Sequence, residues 1–293
     1  MGRLFVLLLL CLRWRSLVCV ERDDFSEYIF KEGDGENSYR VVSPDLPLKF
    51  VVLSAPRSAT TSLVGLLNSH PSVVCHKEAF HPAKPYTHFA ADEVWTSEMR
   101  DVNRSKFFER LWTNDAKEEA VGFKAFPGHL TRSDFHVLLS PHVRKIVVER
   151  RDKLASYVSN LKGKKEKCFT RGCATPSTSV EVDFDDFRAF IAERDAWFRF
   201  LHELADKFDP GSWLFVDTED LLLRNNSTTI NLVYDHLNIP VPDKTTLETS
   251  DIKYQPYSSN GKDTLTYLQN FVSNFEQIQN NDLIRHYLKL LPP

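Results

Sequence analysis

Glycine is scarce, at 10 in 293 residues, so collagen-like and glycine-rich disordered sequences are excluded and each glycine position is informative. Neither charge is in large excess: 37 Lys and Arg against 40 Asp and Glu leave a net charge of −3. No global positive field draws the chain to nucleic acid, and an anionic ligand must be held by a local cluster. No stretch reaches the roughly 18 consecutive apolar residues of a spanning helix. The five cysteines contain no Cys-x-x-Cys pair and no Cys/His spacing for zinc. The nucleoside-triphosphatase pattern GxxxxGK[ST] is missing, so ATP or GTP hydrolysis is not expected. What is present is an ordinary globular composition, 42% hydrophobic and 26% charged, with 21 phenylalanines.

The apolar run Leu4 to Leu12 is too short to span a bilayer but suits the core of a signal peptide, with Arg3 before it. Residues 1–20 are read as a signal peptide or short leader, 21–47 as a linker or stem, and 48–293 as the folded domain. The leader, with sequons at Asn103, Asn225 and Asn226, points to the secretory pathway and the Golgi lumen. A cytoplasmic location is the alternative. Cys168 and Cys173 either close a small disulfide loop in an oxidising lumen or stay as thiols.

The continuous apolar run Phe50–Leu53 suits a buried parallel strand, and further strands are read at Val73–Cys75, Val121–Phe126, Val143–Glu149 and Trp213–Val216. Helical spacing between them predicts helices over 60–69, 152–161, 184–208 and 227–237, with a helical tail from Thr264 to Leu291. Alternating strand and helix gives an α/β fold, a mainly parallel sheet flanked by helices.

The most informative segment is Ser54-Ala55-Pro56-Arg57-Ser58-Ala59-Thr60-Thr61-Ser62-Leu63, between the first strand and its helix. Such a loop presents unpaired N–H groups and the positive end of the helix dipole to an anion. Arg57 adds a charge and Ser58, Thr60, Thr61 and Ser62 add hydroxyls; the plain alternative is a helix capped by its own Ser or Thr. This segment resembles the 5′-phosphosulfate loop of sulfotransferases, with Ala59 where glycine is usual. Glu149-Arg150-Arg151-Asp152 through Ser159 resembles the family's 3′-phosphate segment, with Arg151 at a strand end and Ser159 eight positions on. Arginine suits phosphate because its planar fork donates two hydrogen bonds. Small Ala155 is expected to leave room for ligand on the same helix face. Val121-Gly122-Phe123-Lys124, Phe215 to Leu221 and Leu268 to Glu276 are similar to segments of the carbohydrate and nodulation-type branch.

The resemblance implies a P-loop-kinase-like sulfotransferase fold and transfer of a sulfonyl group from 3′-phosphoadenosine 5′-phosphosulfate (PAPS) to a hydroxyl. No metal need be invoked. Arg57, Ser58, Ala59, Thr60, Thr61, Ser62, Arg151 and Ser159 would hold the cofactor. The acceptor hydroxyl needs a base. Glu78 fits the family's position, with His76 and His81 as the alternatives. Lys124 is either a contact for the phosphosulfate or substrate, or a strand-end lysine. The expected acceptor is a glycan or glycolipid. Protein tyrosine or a small phenol is the runner-up, and a non-catalytic nucleotide-binding relative is the competing class. Lys162 to Lys167 reads as a basic loop, either solvated or a rim that attracts an anionic glycan. Ser258 to Lys262 reads as a flexible late loop.

Overall fold

The computed structural model describes residues 47–90, 93–113, 118–167, 178–223, 227–242 and 262–289. The leader, the stem up to residue 46, Cys168, Cys173, Asn225, Asn226 and residues 258–261 lie outside the described residues.

Strand β1 (Leu48–Ser54) buries its last five residues completely, as its unbroken apolar run requires of a central strand. Helix α1 (Thr60–Leu67) follows, then β2 (Val73–His76). Two helices, α2 (Ser97–Val102) and α3 (Arg104–Trp112), lead to β3 (Ala120–Ala125). A further helix, α4 (Arg132–Leu138), connects β3 to β4 (Val143–Glu149). It opens with a capping box in which Thr131 and Asp134 satisfy each other's backbone. Helices α5 (Lys153–Glu166) and α6 (Phe184–Lys207) precede β5 (Trp213–Asp217), a π-helical turn (Glu219–Leu223) and α7 (Ser227–His236). The tail forms three short helices, α8 (Lys262–Phe271), α9 (Phe275–Ile278) and α10 (Asp282–Lys289).

The five strands are parallel in the order β2-β3-β1-β4-β5. The chain leaves β1 toward β2 on one side and leaves β4 toward β5 on the other. Adjacent β1 and β4 therefore form a topological switch point, where the carboxyl ends of the strands open a ligand crevice. Alternate residues of β1 and β4 (Phe50, Val52, Ile146, Val148) share one core cluster with Leu63 and Leu67 of α1, Tyr234 of α7 and Leu237 just after it. A second cluster joins Leu154 and Val158 of α5 and Phe187 and Ile191 of α6 to Leu268 and Ile284 of the tail.

Three expectations change. The tail is not one helix: backbone bonds between Val180 and residues 271 and 273 interrupt it, and the Asn274 amide bonds both backbone groups of Val182 at 3.0 Å. The run Lys162–Glu166 is helical rather than a loop, because α5 continues through it. Lys162 is buried, with its ammonium 3.2 Å from the Phe271 ring centroid, while Lys164 and Lys165 suit the negative end of the helix dipole. Ala155 is fully buried against protein and opens no ligand face.

Candidate active site

The loop leaving β1 turns through two left-handed residues, Arg57 at φ 70° and Ala59 at φ 54°, ψ 17°. Ala59 therefore adopts the conformation for which glycine is the usual choice. It stands at the N-cap of α1, which has no side-chain cap and no acidic residue in its first turn. The plain Ser/Thr-capped helix is thus not what forms. The positive end of α1, with no acid in its first turn, suits an anion. Ser58, Thr60 and Ser62 are buried around this end, and the exposed Thr61 faces Lys124.

The second segment meets the loop. Arg57 Nε donates to Ser159 Oγ at 2.9 Å, joining positions 102 residues apart. The two adjacent arginines part company, as neighbours at a strand end must. Arg150, 9% exposed, donates to the Arg57 carbonyl at 3.2 Å. Arg151 points to the acids at the end of β5, at 3.4 Å from Asp217 and 3.3 Å from Asp220. Its backbone N–H and that of Asp152 are held by the Glu219 carboxylate at 3.2 and 3.1 Å. Asp152 caps α5 through the Ala155 N–H, and burial pushes its carboxyl above the usual range. Thr218 donates to the Ser58 carbonyl at 2.9 Å, so the β5 end supports the loop as well.

On the other side of the loop lies Lys124, whose side chain is 3% exposed. Its ammonium is 3.0 Å from Glu78 Oε1 and 3.4 Å from Thr61 Oγ1. Glu78, in the turn after β2, is thus tied through one cation to the anion-binding helix end. His76 is fully buried and structural: it accepts from the His88 N–H at 2.9 Å, and its Nε2 faces the Leu111 carbonyl at 3.3 Å. Burial lowers its pKa to about 4, so it stays neutral. His81 is half-buried beside Glu78 and accepts from the Ala83 N–H at 3.2 Å.

Sequence reasoning missed one member of this group. His129 packs 5.5 Å from the His81 ring, and its buried Nδ1 has no hydrogen-bond partner among the described residues. Burial lowers its pKa to about 4 against the opposing pull of Glu78. It follows β3 in a turn with no motif to mark it. Arg150, the sequence's second choice after Arg151, is the one of the two that reaches the loop backbone.

The arrangement provides an uncapped helix end, flanking cations, and a carboxylate set beside them. It can hold a doubly anionic group and place a proton acceptor next to it. A family model described as Sulfotransferase family matches residues 49–243. No curated protein matches the chain. Among solved structures, a sulfotransferase from Alicyclobacillus acidocaldarius is 15% identical, with 82% of this chain and 96% of that one covered, at a TM-score of 0.44. A mouse sulfotransferase solved with PAP is 13% identical, with 83% and 88% covered, at a TM-score of 0.41.

Proposed function

Since the chain belongs to the sulfotransferase family, we propose that it sulfates a carbohydrate hydroxyl, with PAPS as donor and Glu78 as the base. The observation that carries the reading is the contact of Lys124 with both Glu78 and Thr61, because it sets a proton acceptor beside the anion-binding helix end. When bound, PAPS supplies the sulfonyl group on a phosphate leaving group. The residues present fit it: α1 lacks any cap or acid of its own, and cations stand on both sides of the loop.

Arg57 and the N–H groups of residues 58–61 would meet the charge that develops on the leaving phosphate. Ser159, already bonded to Arg57, would take the 3′-phosphate side. Arg150 lies nearer the loop than Arg151 and shares that assignment. Lys124 would orient the Glu78 carboxylate and face the transferred group, and Glu78 would receive the acceptor's proton. This division leaves the protein the work of positioning and charge stabilisation, as in phosphoryl transfer.

The carbohydrate acceptor draws on the likeness of Gly122-Phe123-Lys124 and Asn274-Phe275-Glu276 to carbohydrate-type sequences. Tyr86 supports it: the ring is 39% exposed and lies 5.4 Å from His81, next to the turn that carries Glu78. An exposed ring there offers a stacking face for a sugar. The test is incubation with radiolabelled PAPS and separate panels of glycans, tyrosine peptides and small phenols. Label on glycans is expected; label only on peptides or phenols would overturn the acceptor while leaving the reaction. A lumenal, Golgi location belongs to the same proposal and is supported by the exposed Asn103 of the first sequon. Glycosidase treatment should reduce the mass of the expressed protein, and an unchanged mass counts against that location.

A further inference from the structure

Side chains from distant parts of the chain take four carbonyls of the phosphosulfate loop, those of Ser54, Pro56, Arg57 and Ser58. Thr218 and Arg150 hold those of Ser58 and Arg57. The other two donors come from α6, in a stretch without any recognised motif. Arg194 Nη2 donates to the Pro56 carbonyl at 2.6 Å, across 138 residues. Trp197 Nε1 donates to the Ser54 carbonyl at 3.1 Å. We propose that Arg194 and Trp197 are positioning residues for the cofactor. They clamp the loop from behind, so that its left-handed turns stay formed and its N–H groups stay aimed at the phosphosulfate.

Three observations carry this. The loop contains two non-glycine residues at positive φ, a conformation that persists only where the surroundings over-determine it. Arg194 is 7% exposed, and its guanidinium lies 3.5 Å from the Phe190 ring centroid, so its direction is fixed by packing as well as by the hydrogen bond. Among the described residues no carboxylate forms an ion pair with it. Glu193 favours its charge only from a distance, so burial remains costly, and an anion bound at the loop would offset part of that cost. Trp197 is fixed in turn by Phe135 and Phe200, at ring distances of 6.2 and 5.9 Å.

The inference rests on the cofactor reading above, so its test has one arm that needs no cofactor. Hydrogen–deuterium exchange of the ligand-free protein is followed over residues 55–62 in wild type, Arg194→Met, Arg194→Lys and Trp197→Phe. In parallel, adenosine 3′,5′-bisphosphate is titrated by calorimetry. Arg194→Met should speed exchange in the loop and raise the Kd about tenfold or more, the weight of a charge-assisted hydrogen bond. Arg194→Lys, which keeps a charged donor, should recover most of that loss. Trp197→Phe keeps the ring packing and loses only the N–H; it should raise the Kd roughly threefold. A merely structural role would lower the melting temperature of these variants and leave loop exchange and the Kd of the folded protein unmoved. That result overturns the clamp. If Arg194→Met does not fold, Trp197→Phe decides by the same readouts. If wild type binds no bisphosphate, the cofactor reading fails, and the exchange arm still decides the clamp.

Discussion

Replacing Ala59 with glycine tests the loop where this chain departs from its family. A left-handed alanine costs about 1–2 kcal/mol relative to its right-handed form, and Ala59 sits at φ 54°, ψ 17°. Glycine removes that strain but adds freedom to the unfolded chain, which costs about 0.4–1 kcal/mol. The balance is a gain between nothing and about 1.6 kcal/mol, at roughly 2–4 °C in Tm per kcal/mol for a domain of this size. Ala59→Val goes the other way. A branched Cβ at positive φ is a true outlier, and a loss of about 2 kcal/mol is expected. Thermal and urea unfolding of both variants, beside bisphosphate titration, measures the pair. Glycine should leave affinity equal or improved, and valine should weaken it by distorting the turn. A glycine variant less stable than wild type, or a neutral valine variant, would mean that Ala59 is not held left-handed.

Other perturbations reach the rest of the account. Gly122→Ala should cost about 3 kcal/mol, because a Cβ there would stand 2.5 Å from both the ring and the carbonyl oxygen of Phe50 on the adjacent β1; an unchanged urea midpoint would contradict this. Glu78→Gln should lower kcat by about 10²–10⁴ while leaving bisphosphate affinity intact. Activity within threefold of wild type would move the base elsewhere. Buried His76, with its pKa lowered to about 4, makes the unfolded state bind more protons as pH falls below about 6.5, so stability is lost on acidification toward pH 4. That window costs about 1.4 kcal/mol per pH unit for one such imidazole. His129 and His236 are shifted the same way, whereas Asp152 and Asp217, raised by burial, act in the opposite sense at lower pH. Urea unfolding at pH 7 and pH 5 measures the net slope; a lower midpoint at pH 5 is expected, and equal midpoints would refute the dominance of the buried neutral histidines.

The strands were legible because each carries a short, mainly apolar run, and every expected run became a strand of the sheet. The loop leading into α1 was legible because its small and hydroxyl residues stand between strand and helix. What escaped depends on tertiary context. Arg150 and Arg151 are identical in type and adjacent, so only the phase of β4 decides which reaches the loop. The lysine run looked like a solvated loop because charge hides helix continuation; the burial of Lys162 against Phe271 is a contact made across the fold. Helix α4 is a single short element whose capping box, Thr131 with Asp134, was its one local signal. The left-handed state of Ala59 has no sequence signal, since alanine gives no hint of positive φ.

The loop from Ser54 to Ser62, Arg57 above all, is expected to bind the nucleotide of PAPS with Ser159. Calorimetric titration of the whole chain with adenosine 3′,5′-bisphosphate tests it most directly. One saturable site of micromolar affinity or better is predicted, lost together in Arg57→Ala and weakened in Ser159→Ala. No heat of binding at millimolar nucleotide, or binding indifferent to both substitutions, would contradict it.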